Sequence, residues 1–319
     1  MALLEVKNLK TYFKIKRGYV KAVDDISFQV EKGEAMGLAG ESGCGKTTTA
    51  LSILKILPPN GEIRGGKILF SGINLVEIPE EKMRKDIRWK GISIVFQGAM
   101  NALNPVYKVG DQIVEAIRLH ENVTKEEATT RAKKLLELVG IEPSRFDNYP
   151  HEFSGGMKQR ALIAMALSCN PSLMIADEPG TALDVVVQAQ ILKLLRELKD
   201  KLNLSMILIT HDLSIIAETC EKTTIMYAGK IVEHGSSMNI FKRPLHPYTS
   251  GLISAFPNIK GPRTRVTSIP GTPPNLLHPP SGCRFHPRCK YAMDICKKKE
   301  PIEVEVEKDH YVSCHLITR

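Results

Sequence analysis

The stretch AMGLAGESGCGKTT, residues 35–48, constrains this 319-residue chain more than any other. It opens as a near-continuously apolar run, the pattern of a strand buried on both faces. It then passes through glycines into Lys46-Thr47 and a segment of helical character. This fits G-x-x-x-x-G-K-[ST] in the order strand, loop, helix that the motif requires. Glycine at 40, 43 and 45 lets the backbone turn inward. Successive N–H groups along the loop, including those of Ser42, Cys44 and Thr48, then face phosphate oxygens. The helix from Lys46 adds its positive dipole end. Lys46 has the reach to bridge the β- and γ-phosphates, and the Thr47 hydroxyl is a ligand for Mg²⁺. A glycine-rich turn with no ligand is the alternative, and Lys-Thr behind a buried strand argues against it.

The rest of residues 1–258 predicts an α/β domain. LLEVKNL (3–9), AVDDISFQV (22–30) and KILFSG (67–72) alternate as antiparallel strands do. ISIVFQ (92–97), LMIAD (173–177), SMILIT (205–210) and KTTIMYAG (222–229) are near-continuously apolar and read as buried parallel strands. Helices are expected over 46–57, 109–119, 124–139, 155–168, 185–202 and 212–219. Polar groups stand where the buried strands end, the ligand side of a parallel sheet. Asp177 is placed to hold Mg²⁺ through water, and Glu178 to polarise an attacking water. Gln97 is placed to touch Mg²⁺ and that water, and His211 to donate to a γ-phosphate.

The formal net charge of +9 is scattered, with no basic stripe interleaved with aromatics, so no nucleic-acid partner is expected. The best apolar run, residues 161–169, is half the length of a membrane span, and the N-terminus lacks the layout of a signal peptide. A cytoplasmic location is the expectation. Composition breaks at Gly261: eight of the nineteen prolines fall in the last 59 residues. Residues 259–319 therefore read as an irregular extension held by something other than a large core. That segment holds Cys283, Cys289, Cys296 and Cys314, spaced C-x₅-C-x₆-C-x₁₇-C, unlike the C-x₂-C pairs of zinc ribbons. On spacing alone a metal site, disulfides and unligated thiols all stay open; a cytoplasmic setting lowers the disulfide option.

Taken together, these motifs resemble the nucleotide-binding subunit of an ABC transporter. FSGGMKQR (153–160) is similar to the ABC signature, and TALD (181–184) to the D-loop that follows the Walker B acid. Walker A, Q-loop, signature, Walker B, D-loop and H-loop then run in family order from 40 to 211. FQGAMNALNP (96–105), RPLHPYTSGLISAFP (243–257), IPGTPPNL (269–276) and CRFHPRC (283–289) resemble the oligopeptide/dipeptide importer branch. The resemblance implies a P-loop NTPase fold: a parallel core sheet, an antiparallel β subdomain, a helical subdomain over about 98–168, and a small C-terminal extension with a four-Cys metal site. It implies ATP, Mg²⁺ and a [4Fe-4S] cluster on the four cysteines, with zinc as runner-up. The surplus of ten Lys/Arg over six Asp/Glu in 261–319 suits an anionic cluster.

The resemblance also implies a mechanism. Two subunits face head to tail, and each ATP lies between one P-loop and the other chain's Ser154, Gly155 and Gly156, with Asp184 in the D-loop beside it. The implied partners are two membrane permease subunits, a second ATP-binding subunit and an extracytoplasmic peptide-binding protein. The protein would sit peripherally on the cytoplasmic face of the cell membrane, with 97–122 near the permease. Phe13 is favoured by offset to stack on adenine, with Tyr12 and Tyr19 competing. Met157 replaces the usual signature Gln, and Gly180 a common Thr, which is expected to loosen the turn after Glu178. Nickel or oligosaccharide cargo, a non-transport ABC ATPase, and a redox-sensing tail are the alternative readings.

Overall fold

The computed structural model describes residues 2–98, 102–181, 183–255 and 269–318. The expected boundary between 258 and 259 lies outside the described residues, as do parts of FQGAMNALNP, TALD and the 243–257 motif. The strands are β1 (Ala2–Ile15), β2 (Gly18–Glu31), β3 (Ala35–Ala39), β4 (Gly61–Phe70), β5 (Ile73–Asn74), β6 (Ile92–Val95), β7 (Leu173–Asp177), β8 (Ser205–Ile209), β9 (Lys222–Tyr227), β10 (Lys230–Ser236), β11 (Glu303–Glu307) and β12 (His310–Ser313). Two compact units emerge: Met1–Glu77 with Ile209–Arg319, and Ile78–Leu208.

In the first unit, β2-β1-β4-β5 form an antiparallel sheet. A second set runs β11-β12-β10-β9-β3. There β9 lies parallel to β3, with Met36 opposite Lys222 and Ala39 opposite Ile225. All five residues of β3 are buried, as its unbroken apolar run predicts. Gly37 lets the Leu213–Thr219 helix approach: a Cβ there would lie 2.2 Å from Ile216 Cγ2. The strand delivers the chain to the glycine loop and then to the Lys46–Leu54 helix. On β1, buried Thr11 shares a hydroxyl hydrogen bond of 2.8 Å with Ser52 of that helix.

The C-terminal extension is more regular than its prolines predict. β11 and β12 form a hairpin, and β12 pairs antiparallel with β10, Glu233 opposite Val312. The Glu233 carboxylate is buried and accepts hydrogen bonds from the backbone N–H groups of Leu245 (2.8 Å) and His246 (2.9 Å). His310 Nε2, equally buried, lies 2.8 Å from the same carboxylate. The described residues of the extension belong to the same compact unit as the N-terminal sheet.

In the second unit the strand order is β8-β7-β6, with β6 parallel to β7. Every residue of β7 and β8 is buried. Helices Val109–His120, Lys125–Leu138, Gly155–Ala166 and Val185–Leu202 match the expected spans to within a few residues. Thr124 and Glu127 form the capping box that starts the second of these.

Replacing Gly37 with Ala forces Ile216 away from β3, so we expect a loss of about 1–3 kcal/mol of stability from overpacking. Urea unfolding of the two proteins checks this; an unchanged midpoint would mean the helix yields at no cost.

Candidate functional site

The phosphate loop is built as its glycines predict. Gly40 has φ +147°, and a Cβ there would lie 2.1 Å from the carbonyl oxygen of Met226. Gly45 has φ +111°, and a Cβ would meet the Ala22 carbonyl oxygen at 2.4 Å. No side chain could occupy either place. Gly45 is also the N-cap of the Lys46–Leu54 helix, and no side chain caps that end, which leaves its first N–H groups to an anion. Lys46 Nζ donates to the carbonyls of Gly40 (2.7 Å) and Glu41 (3.0 Å). Ser42, Gly43 and Thr47 are exposed and Thr48 half-buried, while Cys44 is buried, its thiol pushed up by burial.

The outside of this loop is held by segments far along the chain. Glu41 N–H donates to the Tyr248 hydroxyl at 2.8 Å. Arg288 grips the Glu41 carboxylate with both terminal nitrogens, at 2.6 and 3.0 Å. Gly229 N–H donates to the Cys44 carbonyl at 2.9 Å. Tyr227, Tyr248, His246 and Phe285 pack together beneath, with Tyr227 and Tyr248 ring centroids 4.6 Å apart. His246 caps the Pro247–Ser254 helix by accepting the Tyr248 N–H on Nδ1 at 3.0 Å. Burial pushes its pKa down to about 3. These contacts give RPLHPYTSGL and CRFHPRC a structural reason that sequence reading missed; a polar residue inside the loop, Glu41, was the available signal.

The aromatic candidates near the N-terminus are all half-buried. The Tyr12 hydroxyl donates to Asp24 at 2.5 Å, and burial and that carboxylate raise its pKa. Burial works against the Asp24 charge, yet the Tyr12 hydroxyl and Arg284 hold its carboxyl below the usual range. The Phe13 ring lies over Gly61, and the Tyr19 ring lies under the Arg64 guanidinium at 4.5 Å. His211 belongs to this first unit and is exposed, just past the end of β8.

The second unit carries the other motifs. The register of β6 on β7 sets Val95 opposite Ala176, so the residues that follow run on side by side. Gln97 Nε2 accordingly donates to Glu178 Oε2 at 2.7 Å. Thr181 Oγ1 donates to the same oxygen at 2.9 Å. Asp177 ends β7 and is buried. Glu178 has φ +47°, a left-handed backbone that costs a non-glycine residue on the order of 1 kcal/mol and marks functional turns. Ser154 caps the Gly155–Ala166 helix by accepting the Met157 N–H at 3.3 Å. Met157 thus serves the cap through its backbone, whatever its side chain. Gly156 lets the next helix approach, since a Cβ would lie 2.7 Å from Val187 Cγ1. Asp184 caps that helix through the Val187 N–H at 2.9 Å. Gly180 makes room for Gln188, whose Cγ would be 2.5 Å from its Cβ; its φ is not positive, so close approach rather than loosening explains it.

All seven cysteines are free thiols. The chain gathers the four in the extension: Cys283 N–H donates to the Cys296 carbonyl at 2.8 Å. Burial, and then its Cys296, Cys314 and Cys289 neighbours, push the Cys283 thiol up to about 11. Cys289 and Cys314 are also raised, by burial first. Among the described residues, however, no group of three or more His, Cys, Asp or Glu side chains is arranged to hold a metal ion. The structure therefore does not carry the expected four-Cys metal centre as a formed site: the thiols share a neighbourhood without converging. No helix among the described residues is long and apolar enough to cross a membrane.

A phosphate loop behind a buried strand, a Gln–Glu pair just past the ends of adjacent parallel strands and a serine-capped glycine helix define an ABC-type ATPase. The family described as ABC transporter matches residues 23–181, and that described as oligopeptide/dipeptide transporter, C-terminal region, matches 232–296. The chain is 46% identical to a probable peptide ABC transporter ATP-binding protein of Sinorhizobium fredii, over 98% of this chain and 94% of that one. It is 47% identical to the oligopeptide transport ATP-binding protein of Escherichia coli (95% and 90% covered). It is 43% identical to the dipeptide transport ATP-binding protein of Caldanaerobacter subterraneus (98% and 97% covered). A dimeric ATP-binding cassette solved in a post-hydrolysis state with ADP and Pi shares the fold, with TM-score 0.66 and 24% identity over 73% of this chain and 98% of that one. The chain belongs to the ATP-binding proteins of the oligopeptide/dipeptide ABC transporter family.

Neutral His246 sits beneath the loop, so acid must act against it. Its folded pKa, about 3, is below its ordinary 6.5, so the unfolded chain takes up the proton first. Stability is then lost as pH falls below the unfolded value. We expect about 2 kcal/mol less between pH 6.5 and 5 from this group, and a smaller loss in His246→Asn, which keeps the cap acceptor. Denaturant titrations at the two pH values compare the slopes; equal slopes would refute the assignment.

Proposed function

We propose that this chain drives import of di- or oligopeptides by binding and hydrolysing ATP between two head-to-tail subunits. The observation that carries the peptide reading is the 232–296 match, whose Tyr248 and Arg288 both hold Glu41 of the phosphate loop, with His246 packed beneath. Nickel or oligosaccharide cargo and non-transport roles have no such observation in their favour.

In this reading the adenine stacks on Phe13. Thr11 and Phe13 share a face of β1 by the two-residue period, and Thr11 bonds the helix that begins at Lys46. The Tyr12 hydroxyl, on the other face, is committed to Asp24. Lys46 exchanges the carbonyls of Gly40 and Glu41 for the β- and γ-phosphates. N–H groups from Ser42 to Thr48 close around the phosphates. Thr47, Gln97 and Asp177 would hold Mg²⁺, which offsets charge on the phosphate oxygens. Glu178 takes a proton from the attacking water as oxygen bonds to the γ-phosphorus and the bridge to ADP breaks. Gln97 and Thr181 aim the Glu178 carboxylate. His211 donates to the γ-phosphate. Ser154, Gly155 and Gly156 serve the nucleotide of the facing subunit, and Asp184 anchors the D-loop between them.

Two transmembrane permease subunits, a second ATP-binding subunit and an extracytoplasmic peptide-binding protein complete the transporter, which places this chain on the cytoplasmic face of the cell membrane. Exposed Val106 and Tyr107, 69% and 57% accessible, give the segment after Gln97 an apolar face suited to a permease loop.

The four gathered thiols have the donor chemistry of a [4Fe-4S] cluster or of zinc. Burial, and then mutual repulsion, raise the Cys283, Cys289 and Cys314 thiols, and a bound cation would favour the thiolates. Cys283, Cys289, Cys296 and Cys314 would hold the cluster after turning to a common centre. Iron and acid-labile sulfide in equal amounts in anaerobically purified protein are expected; stoichiometric zinc without iron would replace that assignment.

Glu178→Gln should retain ATP and lose at least about 100-fold in turnover, the scale of a general base. ATP binding and phosphate release measured on the reconstituted transporter decide it, and near-normal hydrolysis would remove Glu178 from the role. Uptake of labelled peptide into the same vesicles, against nickel and an oligosaccharide, tests the cargo.

A further inference from the structure

We propose that Arg288, contributed by the C-terminal extension, is a positioning residue for nucleotide binding: it holds and neutralises Glu41 at the start of the phosphate loop. Each polar group of Glu41 has a separate anchor. Its carbonyl accepts from Lys46 (3.0 Å) and from the Cys44 N–H (3.2 Å), its N–H donates to the Tyr248 hydroxyl (2.8 Å), and its carboxylate takes the Arg288 fork (2.6 and 3.0 Å). Lys46 is a temporary anchor, since it gives up both loop carbonyls on turning to a phosphate. Tyr248 and Arg288 then hold Glu41 from outside the loop, beside the turn closed by the Cys44 N–H.

Charge makes the same demand. Glu41 directly follows Gly40, so its negative charge lies close to a polyanion arriving at the loop, and like charges there oppose binding. A bidentate guanidinium both cancels that charge and fixes its position. Arg288 is built for the task. Its side chain is 5% exposed, its Nε donates to the Pro270 carbonyl at 2.8 Å, and its nitrogens also reach the Ile269 carbonyl and the Tyr227 hydroxyl at 3.4 Å. Glu41 in turn holds the guanidinium firmly protonated. Arg284, in the same turn, donates to Asp24 and to the Ala228 carbonyl. The next residue, Gly229, donates its N–H to Cys44 in the loop at 2.9 Å. Two arginines of one turn thus brace the loop at two points.

The inference rests on the loop being the nucleotide site, so the test includes a variant for that reading. MgADP, which is not turned over, is titrated calorimetrically into the full-length protein. Arg288→Ala should weaken MgADP about ten-fold, and Arg288→Lys less. The Arg288→Ala loss should shrink at high salt. Adding Glu41→Gln to Arg288→Ala should recover most of the lost affinity, because it removes the stranded charge; a purely structural brace would show no such rescue. Wild-type affinity in Arg288→Ala, or equal losses in the single and double variants, would overturn the inference. If Arg288→Ala does not fold, Arg288→Gln, neutral and of similar reach, with and without Glu41→Gln supplies the same comparison. Wild-type affinity in Lys46→Ala would sink the loop reading itself, whereas its loss beside a silent Arg288→Ala would sink only the positioning role.

Discussion

A carboxylate beside a phosphate site is a liability unless it is paired, and the pairing of Glu41 with Arg288 organises much of the first unit. The two residues are 247 positions apart, and the bond between them is charge-assisted, bidentate and largely hidden from water. To reach Glu41, Arg288 needs a rigid turn, and that turn is itself held by Arg284 on Asp24. Asp24 in turn accepts the Tyr12 hydroxyl, so β1, β2 and the extension meet at one carboxylate. Tyr248 reaches the loop because His246 and Pro247 start its helix at that point. The glycines shape the phosphate loop, and these distant side chains determine where it stands.

In the second unit, strand register does the corresponding work. Gln97 and Glu178 are 81 residues apart and meet only because β6 and β7 run parallel and in step. Glu178 then leaves β7 through a left-handed backbone, an unfavourable conformation that Thr181 helps to hold from three residues on. Gly156 and Gly180 contribute by absence, each leaving space for a side chain of the Val185–Leu202 helix, Val187 and Gln188 respectively. The signature serine and the D-loop aspartate are both helix caps before they are anything else. Local backbone satisfaction thus places the polar groups that a nucleotide would meet.

The central strands and the main helices were legible because burial on both faces leaves unbroken apolar runs, and helices between them keep a 3.6-residue period. The strand-end acids were legible for the same reason: a charge that ends an apolar run can only be at the sheet's edge. The β11–β12 hairpin was readable too, in the strict alternation Glu303-Val304-Glu305-Val306-Glu307, but the prolines upstream suggested irregularity for the whole tail. Other features have no local signature. A left-handed glutamate looks like any other, and the closeness of Gly180 to Gln188 depends on a helix axis. The partner of Glu41 follows from tertiary structure alone. The four thiols fell between these cases, since the family resemblance implied that they gather but not how their side chains point.

The extension buries few apolar groups of its own, chiefly Phe285, Cys296, Val312 and Cys314 among the described residues. Ordering some fifty residues costs far more conformational entropy than so small a core returns, at about 1–2 kcal/mol per residue. Polar anchors make up part of the difference: Arg284 to Asp24, Arg288 to Glu41, His310 to Glu233 and Lys230 to Glu300. Two of these arginines adjoin thiols, Cys283-Arg284 and Arg288-Cys289, so whatever fixes the thiols also fixes the anchors. If Arg288 positions the phosphate loop, linkage makes the relation mutual. A nucleotide that favours the braced loop must stabilise the thiol turn by the same free energy with which the turn favours the nucleotide. That reciprocity gives a motor ATPase a physical reason to carry a cysteine-rich tail that takes no part in the chemistry at the γ-phosphate.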